Sequence, residues 1–146
     1  MHLKKILIPF LLLASLQAQD SPWPTDAGNA YSSNFGEYRD DHFHMGLDIR
    51  TNGTIGHKVY AVEKGFISRI VTNYSGYGKA IYQKTMSGKT IIYAHLDKFN
   101  PVMERVVKLQ QSKNKKYSIT TNFSSKEFRI KKGDVIGYTG ETGYAF

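Results

Sequence analysis

The residues best suited to chemistry lie in one short stretch, DDHFHMGLDIR, which spans residues 40–50. It places His42, His44 and Asp48 within seven positions. Imidazole nitrogens and carboxylate oxygens can bind zinc without help from thiolates, and the chain has no cysteine. The stretch is therefore a metal site, a histidine-rich charged turn, or part of a site whose other members lie elsewhere in the chain.

A metal site here requires the chain to bend between His44 and Asp48. In a straight strand the two side chains would share a face but stand roughly 13 Å apart, too far to reach one ion. Gly46 lies between them and permits a bend. It also disfavours the helix that would otherwise bring positions i and i+4 together. A His-x3-Asp pair alone is a weak motif, so the three interpretations stay open.

The elements that must position these residues are mostly strands. HKVYAVEKGFISRIVTNY, residues 57–74, alternates apolar and polar residues as a strand pair does. KAIYQKTMSGKTIIYAHL, residues 79–96, predicts a hairpin that turns at Ser87 and Gly88. FRIKKGDVIGYTGETG, residues 128–143, predicts a strand, a turn, another strand and a glycine turn. These patterns predict a mainly β, small antiparallel domain.

One segment departs from the strand pattern. PVMERVVKLQQ, residues 101–111, has apolar residues at helical intervals and predicts a short amphipathic helix. The polar sequence that follows, to about Ser125, is expected to lack regular structure. The domain should therefore carry one partly helical segment between its strands.

The N-terminus has the order of an export signal. Lys4 and Lys5 precede an apolar run, which is followed by small and polar residues. The run is too short to span a bilayer comfortably. We expect residues 1–19 to be a signal peptide and residues 20–146 to form one domain. The mature protein should be exported, periplasmic or extracellular at the cell wall, with no stable membrane insertion after cleavage.

The positive charge is unevenly distributed. The formal net charge is +8, and most of the excess lies between Arg105 and Lys132. An exported basic surface would attract anionic wall polymers or lipid headgroups, although a solvated, lysine-rich loop explains the same composition. Nucleic acid is not expected as a partner, because the signal sends the chain away from it and no binding motif occurs.

Several blocks occur in a recognisable order: NFGEYR, HFHMGLDI, HKVYAVEKGFI, GYGKAIYQ, TIIYAHL and IKKGDVIGYTGETG. In this order they resemble the lysostaphin-like (LytM-type) zinc endopeptidases, which cut peptide crosslinks in bacterial cell-wall peptidoglycan. The resemblance covers nearly all of residues 24–143. The stretch of about residues 100–126 looks like an insertion, so the resemblance implies a lysostaphin-like β domain with a basic, partly helical insertion.

The resemblance also implies roles for individual residues. His44 and Asp48 would bind Zn2+, and His95, which follows the TIIYAHL strand, would be catalytic. The family's third zinc ligand belongs to a His-x-His pair beyond the glycine turn, which this sequence does not reach. We therefore expect a fragment that lacks the C-terminal part of the domain. His42 is interpreted as a packing or supporting residue, and His57 as a surface residue.

The implied function is zinc-dependent hydrolysis of peptidoglycan peptides. His95 would act as general base or would stabilise the developing oxyanion, and the sequence does not separate these roles. Two alternatives share the same features. A noncatalytic relative would bind wall peptide or regulate another wall hydrolase, and a basic adhesion module would bind anionic glycans.

Overall fold

The structure, a computed structural model, describes residues 22–144. The predicted signal peptide lies outside the described residues. Within residues 22–144 there are ten strands and one helix: β1 (Tyr31–Ser33), β2 (Asp48–Ile49), β3 (Lys58–Tyr60), β4 (Gly65–Thr72), β5 (Ala80–Thr85), β6 (Thr90–Tyr93), β7 (Leu96–Phe99), α1 (Pro101–Asn114), β8 (Ile119–Asn122), β9 (Arg129–Ile130) and β10 (Val135–Thr139).

The strands form three antiparallel sheets. The largest has the order β6-β5-β4-β8, with β9 also pairing with β4, and a second sheet has the order β3-β10-β7. Strands β1 and β2 form a separate two-stranded sheet that carries the His44–Asp48 stretch. The prediction of a mainly β, antiparallel fold is therefore confirmed.

Strand β4 shows why strict alternation is an incomplete guide to burial. Its register against β5 shifts between Ile67 and Arg69, as at a β-bulge. The shift lets Ile67 and Ile70, three positions apart, both become fully buried. These two residues join Ile81, Leu96 and other apolar side chains in the core, so β4 is the strand around which the large sheet is built.

The hairpin predicted at Ser87 and Gly88 is confirmed between β5 and β6. Gly88 has a φ of 87°, which glycine adopts without the steric penalty of a side chain. At the other end of β6, the Tyr93 hydroxyl donates to Gln83 Oε1 at 2.7 Å and accepts from the amide of Val62 at 3.1 Å. These bonds fix the end of the strand that leads into His95.

The predicted helix is confirmed and extends three residues beyond the pattern, to Asn114. The Asn100 side chain caps its start by accepting from the Met103 amide at 3.0 Å. Met103 and Val107 are buried against the core. Among residues 22–144, no helix is long and apolar enough to cross a bilayer.

One structural expectation is wrong. The polar sequence after the helix was expected to be irregular to about Ser125, but it contains β8, which pairs with β4 over four residues. Burial alternates along β8: Ile119 and Thr121 are half-buried, whereas Thr120 and Asn122 are exposed. Pairing with an existing sheet edge supplies hydrogen bonds that composition alone does not reveal.

Candidate active site

The structure brings His44 and Asp48 together. The chain bends at Gly46, between the two residues, and His44 Nε2 lies 3.2 Å from Asp48 Oδ1. The His44 backbone is fixed by two hydrogen bonds, from its amide to Glu37 O and from the Gly36 amide to its carbonyl. The predicted convergence of these two side chains through a bend is confirmed.

The hydrogen bonds of His44 determine which ring nitrogen carries a proton. Nδ1 lies 3.0 Å from the carbonyl oxygen of Asn34, which can only accept. It also lies 3.3 Å from Ser33 Oγ, whose own hydrogen is donated to Glu37 Oε2 at 2.6 Å. Nδ1 is therefore the donor, and in the neutral ring Nε2 presents its lone pair toward Asp48.

A lone pair and a carboxylate oxygen that face each other require a cation between them or a second proton on the ring. A histidine that donates from one nitrogen to a carbonyl and directs the other nitrogen at the ion is the usual arrangement of metal-binding histidines. The side chains of His44 and Asp48 are only 16% and 35% exposed. The donor set therefore fits two ligands of a zinc ion.

Polar residues surround the pair and hold it in place. Arg39 donates to Asp48 Oδ2 at 2.6 Å and to Ser33 Oγ at 3.1 Å, leaving Asp48 Oδ1 to face His44. The Ser33 hydroxyl holds the pKa of Glu37 below its ordinary value, helped by the Asn34 amide and by the charge of Arg39. Glu37 therefore stays ionised and continues to accept the Ser33 hydrogen.

His95 lies in the connection between β6 and β7 with a φ of 56°, in the left-handed region. That region costs an ordinary L-residue about 1 kcal/mol or more. The amide of His95 donates to Tyr77 O at 3.0 Å, and its Nδ1 lies 2.8 Å from Thr142 O. Since that carbonyl can only accept, Nδ1 is protonated and Nε2 is left available to a reactant. Backbone outliers of this kind cluster at functional sites.

Close packing of backbone segments positions Thr142 beside His95. A Cβ added at Gly78 would lie 2.3 Å from the carbonyl carbon of Thr142, and one at Gly143 would lie 2.3 Å from Gly76 O. Thr142 Oγ1 accepts from the Lys79 amide and donates to Leu96 O, both at 2.8 Å. The glycine turn predicted from the sequence is therefore part of the support of His95.

The three residues singled out from the sequence are not joined by direct contacts. In the described part of the chain, the hydrogen bonds of His95 run to Tyr77 and Thr142, while His44 and Asp48 contact each other. Convergence of all three on one groove stays a prediction. Within residues 22–144, no three His, Asp or Glu side chains are grouped so as to hold a metal ion.

His42 does not complete the site. Its side chain is 61% exposed and its Nδ1 contacts the neighbouring Asp41 carboxylate, so it is not packed in the interior, and a supporting role for it stays a prediction. His57 is 30% exposed and faces Asp26 at 3.8 Å. Sequence reasoning missed the supporting residues Arg39 and Thr142, although both lie within the ordered blocks, because a block does not show which side chains touch.

Comparison with known proteins provides no relative to test these roles. The chain matches no family model, no curated protein and no solved structure. The roles of His44, Asp48 and His95 rest on the ordered sequence blocks and on the geometry described above.

Proposed function

We propose that the protein is an exported zinc-dependent endopeptidase that hydrolyses peptide crosslinks of bacterial cell-wall peptidoglycan. One observation carries the proposal: His44 donates from Nδ1 to the Asn34 carbonyl and directs Nε2 at Asp48 Oδ1, 3.2 Å away. This is the orientation expected of two zinc ligands. The ordered blocks in which both residues lie point to the same chemistry.

The site residues would then have two kinds of role: some would hold the metal ion, and His95 would transfer a proton. His44 and Asp48 would hold Zn2+, which when bound supplies Lewis-acid activation of the scissile carbonyl and of water. Arg39 keeps Asp48 oriented through its outer oxygen. His95 keeps its proton at Nδ1 on the Thr142 carbonyl, so its Nε2 is the atom that accepts or delivers a proton during hydrolysis.

The surface beside the metal pair suits a peptide substrate. Large apolar side chains on the same loops are more than half exposed: Phe35, Tyr38, Phe43, Met45 and Leu47. The Tyr38 and Phe43 rings pack edge to face with their centroids 5.6 Å apart, so they form one apolar cluster rather than two separate exposed residues. Exposed apolar clusters of this kind commonly mark binding surfaces, and the stems of a wall peptide would contact them.

The test measures bound zinc and crosslink hydrolysis in four variants of the complete protein. His44→Ala and Asp48→Ala should lose both zinc and activity, because each removes a ligand. His95→Ala should keep the zinc affinity of the unsubstituted protein and lose roughly a hundredfold or more in turnover. His42→Ala is the matched control and should retain both properties. If His95→Ala lost zinc while His44→Ala kept it, the roles assigned here would be wrong.

A second candidate is favoured by one observation. At the candidate site the two potential ligands are His44 and Asp48, and within residues 22–144 no third His, Asp or Glu side chain is grouped with them. Catalytic zinc sites usually have three protein ligands and an open position. A noncatalytic relative would use the same surface to bind wall peptide or to regulate another hydrolase. It would bind crosslinked peptide with an affinity that His95→Ala leaves unchanged, and it would show no zinc-dependent hydrolysis.

A further inference from the structure

The net charge of the described residues, 22–144, is confined to one segment. Residues 101–132, which we call the basic segment, contain nine Lys and Arg residues against two acidic ones, a net charge of +7. The remaining described residues, 22–100 and 133–144, contain nine basic and nine acidic residues and are neutral. Random placement of surface charge does not explain this division, because the neutral part is about three times longer.

The helix arranges these charges along a line. Met103 and Val107 occupy the buried side of α1, so helical spacing places Arg105 and Lys108 on its exposed side, and Lys113 is exposed in its last turn. The 14 residues of α1 span roughly 21 Å. From Arg105 to Lys113 the exposed basic residues, which we call the stripe, cover roughly 12 Å of that length. Lys115 and Lys116 continue the stripe beyond the helix, so it is longer than a single small anion.

Residues of β9 and of the turn after it extend the stripe at the start of the helix. Arg129 and Val102 line the same surface depression, which also contains the acidic Glu127 and Asp134, and Lys131 is exposed two residues further on. At the other end, Lys113, Lys115 and Lys116 are all exposed. The basic residues thus lie beside both ends of α1 as well as along its outer side.

The charges of the stripe are mostly not neutralised by the protein. In residues 22–144, no acidic side chain lies within ion-pair distance of Lys113, Lys115 or Lys116, and Lys108 meets Glu104 only at 4.0 Å, with its side chain 72% exposed. An exposed pair of this kind contributes little. The positive field is therefore available to an external polyanion.

We propose that the basic segment binds a linear phosphodiester polymer of the poly(glycerol phosphate) type and so holds the protein on an anionic wall. The surface fits a linear chain because its charges follow a helix axis. It fits insertion into a bilayer less well. Insertion needs a continuous apolar helix face, whereas Met103 and Val107 are buried in the core and the exposed apolar residues of α1, Val102 and Leu109, are separated by Arg105 and Lys108.

Single-stranded nucleic acid is a poorer fit. Proteins that bind it use exposed aromatic platforms between the basic residues. The aromatic rings of the basic segment already pack against other rings: Tyr117 lies 4.4 Å from Tyr74, and Phe123 lies 4.6 Å from Phe128. The rings of Tyr117, Phe123 and Phe128 are also half-buried, so the basic segment itself offers charge without exposed stacking platforms; the exposed ring at its edge is Tyr74.

The experiment compares two triple variants that remove the same charge from different places. The first carries Arg105→Gln, Lys108→Gln and Lys113→Gln; the control carries Lys58→Gln, Lys64→Gln and Lys84→Gln, which are exposed residues of the neutral part. Binding to poly(glycerol phosphate) is measured by calorimetry at several salt concentrations, with dextran as the uncharged probe. Circular dichroism verifies that both variants keep the fold.

We expect the first variant to bind about tenfold more weakly and to lose roughly 2 units of the salt-dependence slope, as for three lost phosphate contacts. The affinity of the control variant should stay within about twofold of the affinity of the parent protein, since the charges that it removes lie outside the basic segment. Equal losses in both variants, or no binding by the parent protein, would overturn the proposal. So would tighter binding to vesicles of equal parts phosphatidylglycerol and phosphatidylcholine, or to a single-stranded oligonucleotide. None of these results depends on hydrolysis, so the proposed peptidase activity is tested separately.

Discussion

The two candidate functional histidines are held by different means. His44 lies beside the small β1-β2 sheet, where its ring donates to the Asn34 carbonyl and the side chains of Ser33, Glu37 and Arg39 surround it and its partner Asp48. His95 is held by main-chain groups, the carbonyls of Tyr77 and Thr142. The metal pair thus depends on a network of partly exposed side chains in addition to the Asn34 carbonyl, whereas His95 is supported by the packing of backbone segments.

Because of this difference, the two sites should respond differently to substitution. A side-chain network can lose one member while the fold persists, so metal affinity is adjustable in small steps. Backbone segments that pack through glycine cannot accommodate even one methyl group without moving. The geometry of His95 should therefore be lost together with local stability, and the geometry of His44 without it.

The largest effect is expected at Gly78. It has a φ of 60°, and a Cβ there would overlap the Thr142 backbone, so Gly78→Ala should destabilise the protein by about 3–5 kcal/mol. Gly76 is a matched control, because its φ is 58° but nothing lies within 4 Å of its added Cβ. Gly76→Ala should cost only about 1–2 kcal/mol, the strain of a left-handed alanine. Equal losses of unfolding free energy in urea would show that packing against Thr142 is unimportant.

Tyr93, at the end of the strand leading to His95, should produce a somewhat smaller effect. Burial raises its pKa from 10.0 to about 12. Its contribution to stability is complete below pH 10 and is lost as the pH rises to about 12, because the unfolded chain loses the proton first. A shift of this size corresponds to about 2–3 kcal/mol.

Tyr93→Phe isolates this contribution from the other tyrosines. It should destabilise the protein by about 1–3 kcal/mol near neutral pH, since the Val62 amide and Gln83 lose their partner. The variant should also lose less stability than the parent protein between about pH 9 and pH 12. Parallel stability curves for the two proteins over that range would show that Tyr93 does not titrate as described.

On the metal side, Arg39→Gln should leave stability nearly unchanged and weaken zinc binding about tenfold. A partly exposed ion pair such as Arg39–Asp48, whose side chains are 26% and 35% exposed, contributes about 1 kcal/mol to folding, whereas residues that orient a metal ligand typically affect affinity tenfold or more. Removal of a positive charge would by itself favour a cation, but solvent reduces that repulsion to about 1 kcal/mol. Competition with a chelating dye measures the affinity, with Arg50→Gln as the control. Tighter zinc binding by Arg39→Gln would show that repulsion outweighs orientation.

Much of the fold was predictable because it depends on local patterns. The hairpin at Gly88 follows from turn chemistry, and the helix of residues 101–114 follows from apolar spacing and the Asn100 cap. Strand β8 was not predictable, because a polar segment becomes a strand only when a sheet edge, here β4, is available to pair with it. Pairing partners that are distant in sequence leave no local signal.

The same distinction applies to the candidate site. The bend between His44 and Asp48 was predictable, since Gly46 and the reach of two side chains are local properties. The support of His95 was not, because Thr142 lies 47 positions away and contributes a main-chain carbonyl. Any residue type provides such a carbonyl, so its role cannot be inferred from side-chain chemistry.

The smallest expected effect concerns Thr142, and it tests whether backbone packing orients His95. Thr142→Val keeps the side-chain shape but removes the hydroxyl that bonds the Lys79 amide and the Leu96 carbonyl. It should cost about 1–2 kcal/mol of stability, for two partly buried groups left without a partner. Once the segment is loosened, the Thr142 carbonyl no longer fixes the proton on His95 Nδ1.

The measurement is the tautomer of the His95 ring, read from long-range nitrogen–proton NMR correlations. The parent protein should show the proton on Nδ1, and Thr142→Val should shift a substantial fraction of it to Nε2, while Thr142→Ser, which keeps the hydroxyl, should restore the parent pattern. A merely structural role would lower stability without moving the proton. If the Val variant kept the Nδ1 tautomer, His95 would be oriented independently of Thr142. Backbone packing would then not explain how His95 is held, and the contrast with His44 would fail.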